Sequence, residues 1–174
     1  MPRDVITLDD VTPNNIGVLK KINEVTLPVE FTEDWYQEAL RANQIVKLGY
    51  YVELPVGAIK GKAINRGHLD YIFNGTGKHQ GVKNSIPNAV YIESIAVLEG
   101  YRNLGIGSRL LDYLTEETRR RFIHEIVLHV KEDNTQARQW YKKRGFQEHE
   151  EVVKGYYKEQ GLVNDSAVIL SKKI

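Results

Sequence analysis

Eight consecutive residues carry the most specific chemistry in this sequence: Tyr101-Arg102-Asn103-Leu104-Gly105-Ile106-Gly107-Ser108. They join a strand-like apolar run, 89–97, to a helix-like run, 106–122. Glycines at such a junction let the main chain approach a ligand. The first turn of a helix then offers unpaired N–H groups and the positive end of its dipole. That combination suits a phosphate. No Ser, Thr, Asp or Asn stands at the helix start, which fits an outside anion as the cap. The two glycines alone favour an ordinary tight strand-to-helix turn. Arg102 before them, Ser108 after them and the strand upstream favour the anion. The Lys of a P-loop is missing, as are the third glycine and distant acid of a dinucleotide fingerprint.

Two further groups in strand-like runs could take a proton. His129 lies in an apolar run, 125–130, and an imidazole titrates near neutrality. By itself it reads first as a core histidine bonded to a backbone carbonyl. Glu93 lies two residues after Tyr91, so the strand period puts Tyr91, Glu93 and Ile95 on one face and Ile92, Ser94 and Ala96 on the other. Glu93 reads equally as a partly exposed strand glutamate.

The elements that must position these residues follow from the local pattern. Residues 5–8 read as a short strand. Thr12-Pro13 reads as a helix start, a capping hydroxyl followed by proline at the first helical position. Ile16, Leu19, Ile22 and Val25 mark that helix's buried face, and Pro28 ends it. Thr32 caps a second helix over 33–41. Runs 45–53 and 56–64 read as strands joined by a turn at Leu54-Pro55. A strand at 68–73 is followed by a polar stretch, 74–88, that reads as a mobile loop insertion carrying Lys78, His79 and Lys83 on its surface. In the helix after the glycine loop, Ile106, Leu110, Leu111, Leu114 and Thr118 share one side, and Arg119-Arg120-Arg121 suit its C-terminus. Asn134 caps a helix over 135–143, Gly145 closes it, Tyr156-Tyr157 sit in a turn and 166–170 form a last strand.

The bulk numbers bound the rest. A chain of 174 residues reads as one domain, 1–174, with room for a core. A net charge of +1 gives no nucleic-acid footprint. Without cysteine there is no disulfide framework or thiolate metal site, and no metal is expected. No run reaches membrane-spanning length, and the start, Met1-Pro2-Arg3-Asp4, carries no apolar leader. A cytoplasmic or nuclear location is the expectation. The mixed order of elements suits an α/β three-layer domain, not a doubly wound one.

Arg102, Gly105 and Gly107 resemble the Arg/Gln-x-x-Gly-x-Gly/Ala acetyl-coenzyme A loop of the GCN5-related N-acetyltransferases (GNAT). A second block, Asn134, Ala137, Trp140-Tyr141 and Gly145-Phe146, resembles that family's last helix without a gap. The resemblance implies the GNAT acyl-CoA N-acyltransferase fold, a mixed central sheet of about seven strands flanked by about four helices. A closer likeness runs nearly the full length. Asp10-Val11-Thr12-Pro13, Leu27-Pro28-Val29, the glycine loop, Leu128-His129-Val130 and Tyr156-Tyr157 resemble the NatE-type protein N-terminal acetyltransferase subunit.

That likeness implies acetyl transfer from acetyl-coenzyme A to a protein's free α-amino group, with a retained Met and an apolar second residue as the guest. It implies that Tyr91 and His129 act through a water as the base, with Glu93 a rival, and that Tyr141 serves the leaving sulfur. Ile95 and Val97 would bind the pantetheine arm, and the N–H near Val97 the carbonyl oxygen. The 102–108 main chain (Arg102, Asn103, Leu104, Gly105, Ile106, Gly107 and Ser108) would take the pyrophosphate. Asn134 would touch the cofactor or cap its helix. Leu27, Pro28, Val29, Phe31, Glu93, Tyr156 and Tyr157 would line the peptide pocket. Leu27 stands where the family often has an aromatic residue, Phe31 where it has a tyrosine, and Glu93 where it has an apolar residue. The likeness also implies an auxiliary subunit and a second catalytic subunit at the ribosome. The alternatives are a lysine or small-amine acetyltransferase of the same fold, with Glu93 pairing an ammonium, and a largely non-catalytic subunit. The chemistry is undemanding: an α-amine with a pKa of about 7.7–8.0 needs only a weak base, whereas lysine at about 10.4 needs more.

Overall fold

A computed structural model of the chain describes residues 4–66, 86–157, 160 and 166–174. Its strands are β1 (Ile6–Asp9), β2 (Gln44–Tyr51), β3 (Leu54–Ile64), β4 (Ala89–Val97), β5 (Glu125–Lys131), β6 (Gln147–Val153) and β7 (Ala167–Lys173). They form a seven-stranded sheet in the order β1-β2-β3-β4-β5-β7-β6. Among the described residues the helices are α1 (Ile16–Thr26), α2 (Glu33–Glu38), α3 (Ile106–Arg120) and α4 (Thr135–Lys143). The expected α/β class and element order are therefore present. The expected strand 68–73 and most of the insertion 74–88 lie outside the described residues. The chain divides into two compact units, Met1–Lys62 with Ile92–Glu117, and Ala63–Tyr91 with Thr118–Ile174.

In the first unit β1, β2 and β3 run antiparallel in sequence. The β2–β3 turn is not at Leu54-Pro55 as the proline suggested. It is at Val52-Glu53, whose φ angles of 48° and 78° are both left-handed. Two central residues with positive φ make the turn whose twist matches a tight hairpin. Pro55 is accommodated inside β3, opposite Tyr50 and beside a register shift at Gly49/Tyr50. Helix α1 starts later than Thr12-Pro13 implied. The Thr12 carbonyl accepts from the Asn15 and Ile16 N–H groups, so 13–15 form a turn ahead of the helix. Thr32 does cap α2: its Oγ1 accepts from the Trp35 N–H at 3.2 Å. That helix ends at Glu38 rather than at 41.

The core of this unit gathers Leu19 and Ile22 of α1, Tyr36 of α2, Leu48, Ala58 and Ala96. Ile106, Leu110 and Leu114 of α3 are fully buried, as their spacing predicted. Gly57 permits this packing. A Cβ there would stand 3.0 Å from the Ala96 carbonyl oxygen and 3.1 Å from Ile106 Cγ2.

In the second unit β7 lies between β5 and β6, antiparallel to both. Ile64, Ala89, Tyr91 and Val127 form a buried cluster, with Tyr156 and Ile169 packed against it. Asn134 caps α4, its Oδ1 accepting from the Ala137 N–H at 3.1 Å. The end of α4 is sealed by burial of Tyr141 and Phe146.

Candidate active site

The glycine loop lies in the first unit. After β4 a single 3-10 turn, Glu99–Tyr101, leads into Arg102, whose backbone is extended. Asn103 and Gly105 then take left-handed φ angles of 64° and 92°. At 92° a side chain would be strained, so Gly105 answers a backbone need. The first helical bond runs from the Arg109 N–H back to the Gly105 carbonyl at 3.0 Å. The N–H groups of Ile106 and Gly107 stand in the first turn ahead of that bond. No acidic side chain sits in the first turn of α3. Leu104 is exposed. This donor set and its dipole fit an anion such as a pyrophosphate. The Arg102 side chain is turned elsewhere: its Nε donates to the Val97 carbonyl at 3.1 Å. It ties the loop to the end of β4, where Ile95 and Val97 are half-buried.

The Leu27-Pro28-Val29 segment leaves α1 with extended backbone at Leu27, whose N–H still bonds the Asn23 carbonyl at 2.9 Å. Leu27, Val29 and Phe31 are half-buried and Pro28 is exposed. The Phe31 ring stacks on Trp35, with centroids 3.9 Å apart and planes 12° from parallel.

Glu93 is more enclosed than expected. Its side chain is 8% exposed, and both carboxylate oxygens are engaged, Oε2 by Lys60 Nζ and Oε1 by Lys62 Nζ at 3.2 Å. Burial pulls the Lys60 ammonium below its ordinary range, and Glu93 offsets part of that. The partners of Glu93 escaped the sequence reading. A signal was present: Lys60 and Lys62 of β3 and Glu93 of β4 are opposite charges in strands that are mostly apolar.

The second unit brings Tyr91, His129 and Tyr156 together. The Tyr91 hydroxyl is 3.0 Å from His129 Nδ1 and 2.9 Å from the Tyr156 hydroxyl. The Tyr156 ring lies on the imidazole, with centroids 4.3 Å apart, and Tyr157 packs edge-on to Tyr156 at 4.6 Å. Burial pulls the imidazole down to about 3, so His129 is neutral across the physiological range. It is therefore neither a simple core histidine bonded to a carbonyl through Nδ1 nor a cation. No local pattern in the sequence signals the bond between Tyr91 and Tyr156, which are 65 positions apart.

Tyr141 is 4% exposed and packs edge-on to Trp140 at 4.9 Å and to Phe146 at 5.3 Å. Burial raises its hydroxyl well above the usual phenol range, with Tyr157 adding to the shift, and burial does the same to Tyr157 itself. Both stay protonated, the state a hydrogen-bond donor requires. The Asn134 side-chain oxygen is used as the helix cap. Among the described residues no cluster of His, Asp and Glu could hold a metal ion, and no helix is long and apolar enough to cross a membrane.

Comparison with known proteins bears on these geometries. Residues 19–146 match the model of the Acetyltransferase (GNAT) family. The chain is 33% identical over 159 residues to "Probable N-acetyltransferase san" of Drosophila melanogaster, covering 91% of this chain and 76% of that protein. It is 32% identical over 154 residues to N-alpha-acetyltransferase 50 of Danio rerio, covering 88% and 80% respectively. A solved structure of Arabidopsis thaliana Naa50 in complex with the bisubstrate analogue CoA-Ac-MVNAL superposes with a TM-score of 0.79 at 30% identity. That alignment covers 98% of this chain and 100% of the Arabidopsis chain.

Proposed function

This chain belongs to the acetyltransferase (GNAT) family, and from that premise we propose that it acetylates protein N-termini that keep Met before an apolar residue. N-alpha-acetyltransferase names among its relatives support the α-amine as acceptor. The peptide part of the Arabidopsis analogue, MVNAL, opens on the pair of residue types proposed here.

Acetyl-coenzyme A supplies an acetyl thioester, already activated toward an amine. The first-turn amides of α3 and the side-chain-free Gly105 would hold its pyrophosphate, and the Ile95–Val97 main chain would hold its pantetheine arm. The acceptor amine must be neutral to attack, and with a pKa of about 7.7–8.0 a useful fraction is neutral without help. His129, kept neutral by burial, is then an acceptor for the proton that leaves the amine. Tyr91 fixes the imidazole through Nδ1 and passes a proton along its own hydroxyl. We assign the transfer to a water between the amine and this pair. Tyr141, held protonated, would donate a hydrogen bond to the leaving sulfur.

The observation that carries the reading is the 3.0 Å contact of the Tyr91 hydroxyl with His129 Nδ1, which joins the two residues that the family resemblance assigns to the base. The state of Glu93 supports it too. A carboxylate already paired with two lysines is ill suited to bind a small substrate's ammonium. An auxiliary subunit belongs to the same reading and is tested by co-purification from cells.

The deciding experiment is a panel of short peptides with labelled acetyl-coenzyme A, led by Met-Leu and Met-Val N-termini and including blocked peptides with internal lysine. Transfer to the free Met-apolar termini is expected. Transfer only to lysine or to small amines would refute it.

A further inference from the structure

A lysine whose side chain is wholly buried is costly unless its charge is met. Lys60, in the middle of β3, is 0% exposed. Three groups from three elements surround its ammonium: Glu93 Oε2 of β4, Gln44 Oε1 of β2 at 3.1 Å, and the Trp35 ring of α2, whose centroid is 4.7 Å away. Lys62 takes the second Glu93 oxygen, and Glu38 lies 4.0 Å beyond Lys62, so opposite charges alternate outward. Apolar residues of similar volume would serve stability as well as a buried ion pair does. What the charged version adds is direction. An ammonium between a carboxylate and an indole face fixes where that ring stands. The ring is the surface on which Phe31 stacks at 3.9 Å.

We propose that Lys60 is a positioning residue for the peptide pocket: anchored by Glu93 and Gln44, its ammonium holds the Trp35 ring and thereby the Phe31 wall. The inference rests on the reading of Phe31 as a pocket residue. It assigns Glu93 the part of counter-ion rather than base. It also gives a reason for a wholly buried lysine in a mostly apolar strand.

The test uses Lys60→Met and the double variant Lys60→Met/Glu93→Met, each in a Trp140→Phe background that leaves Trp35 as the sole tryptophan of the two in the sequence. The double variant removes both charges together, so it stays folded if the single variant does not. Peptide KM, acetyl-coenzyme A KM, kcat and acrylamide quenching of Trp35 are measured. The expected result is a peptide KM raised about tenfold, equivalent to about 1.4 kcal/mol, with stronger Trp35 quenching. The cofactor KM should hold within about twofold, a split that mere loss of stability would not produce. A folded double variant with wild-type peptide KM overturns the proposal, whatever its quenching. So does one whose kcat alone collapses, which would make Glu93 the base. If the parent protein acetylates no peptide α-amine, the functional reading fails instead. Trp35 quenching then still decides the anchoring: an increase sustains it and no change removes it.

Discussion

The Tyr156 ring lies 5° from parallel to the His129 imidazole, while its hydroxyl reaches the Tyr91 hydroxyl at 2.9 Å. One side chain thus touches both members of the candidate base, through its face and through its tip. Tyr156→Phe keeps the face and removes the tip. We expect a kcat lowered roughly tenfold with peptide KM little changed, because the direction of the Tyr91 hydroxyl is lost. Tyr156→Leu should cost more in both parameters. Steady-state kinetics of the two variants checks this, and a Tyr156→Phe variant with the parent's kcat would show that the hydroxyl does nothing.

Burial of His129 sets a pH signature. With its native value near 3, no kinetic limb should occur at the ordinary imidazole value of 6.5, and kcat/KM should rise with the substrate's own amine instead. The linkage has a definite sign. An unfolded His129 binds its proton more readily than the native one between pH 6.5 and about 3. Its contribution to stability is therefore complete above 6.5 and declines as pH falls through that window. Denaturant midpoints at pH 7.5 and 5, for the parent and His129→Phe, read the difference. His129→Ala should lower kcat by about 10²-fold or more.

Gly105 should tolerate no branched side chain. At φ 92° a valine is strained in the backbone, and its side chain would crowd the loop proposed to hold the phosphates. Gly105→Val is expected to abolish acetyl-coenzyme A binding by calorimetry. A variant that binds as the parent does would remove the anion site from this loop.

Arg138 grips Glu148 with two bonds, Nε to Oε1 at 2.6 Å and Nη2 to Oε2 at 2.9 Å, and Lys142 adds a third contact at 3.2 Å. The Arg138 bond is the main cause that pulls the carboxyl down to about 2 from 4.5. This depressed value means stability that is whole above pH 4.5 and lost as pH falls toward 2. The pair is partly solvated, so Glu148→Gln should cost about 1 kcal/mol at neutral pH and much less at pH 2. Thermal unfolding at the two pH values checks it.

The elements legible in the sequence were those closed by neighbouring residues. Gly105 and Gly107 mark the strand-to-helix junction, Thr32 and Asn134 cap the helices they precede, and the apolar spacing of α3 names its buried side. The β2–β3 turn was misplaced because proline is a local signal. The true turn at Val52-Glu53 is chosen by cross-strand register and twist.

The chain by itself determined the family, the glycine junction between β4 and α3 and the residue types available for proton transfer, since each rests on contiguous residues or fixed short spacings. Only the tertiary structure decided the company those residues keep. Tyr91 and Tyr156 are 65 positions apart, and Lys60 and Glu93 are 33 apart. No local rule joins such pairs. They meet because strand pairing and burial bring distant segments together, and in that dry interior a charge or hydroxyl must find a partner that no reading of neighbours can name.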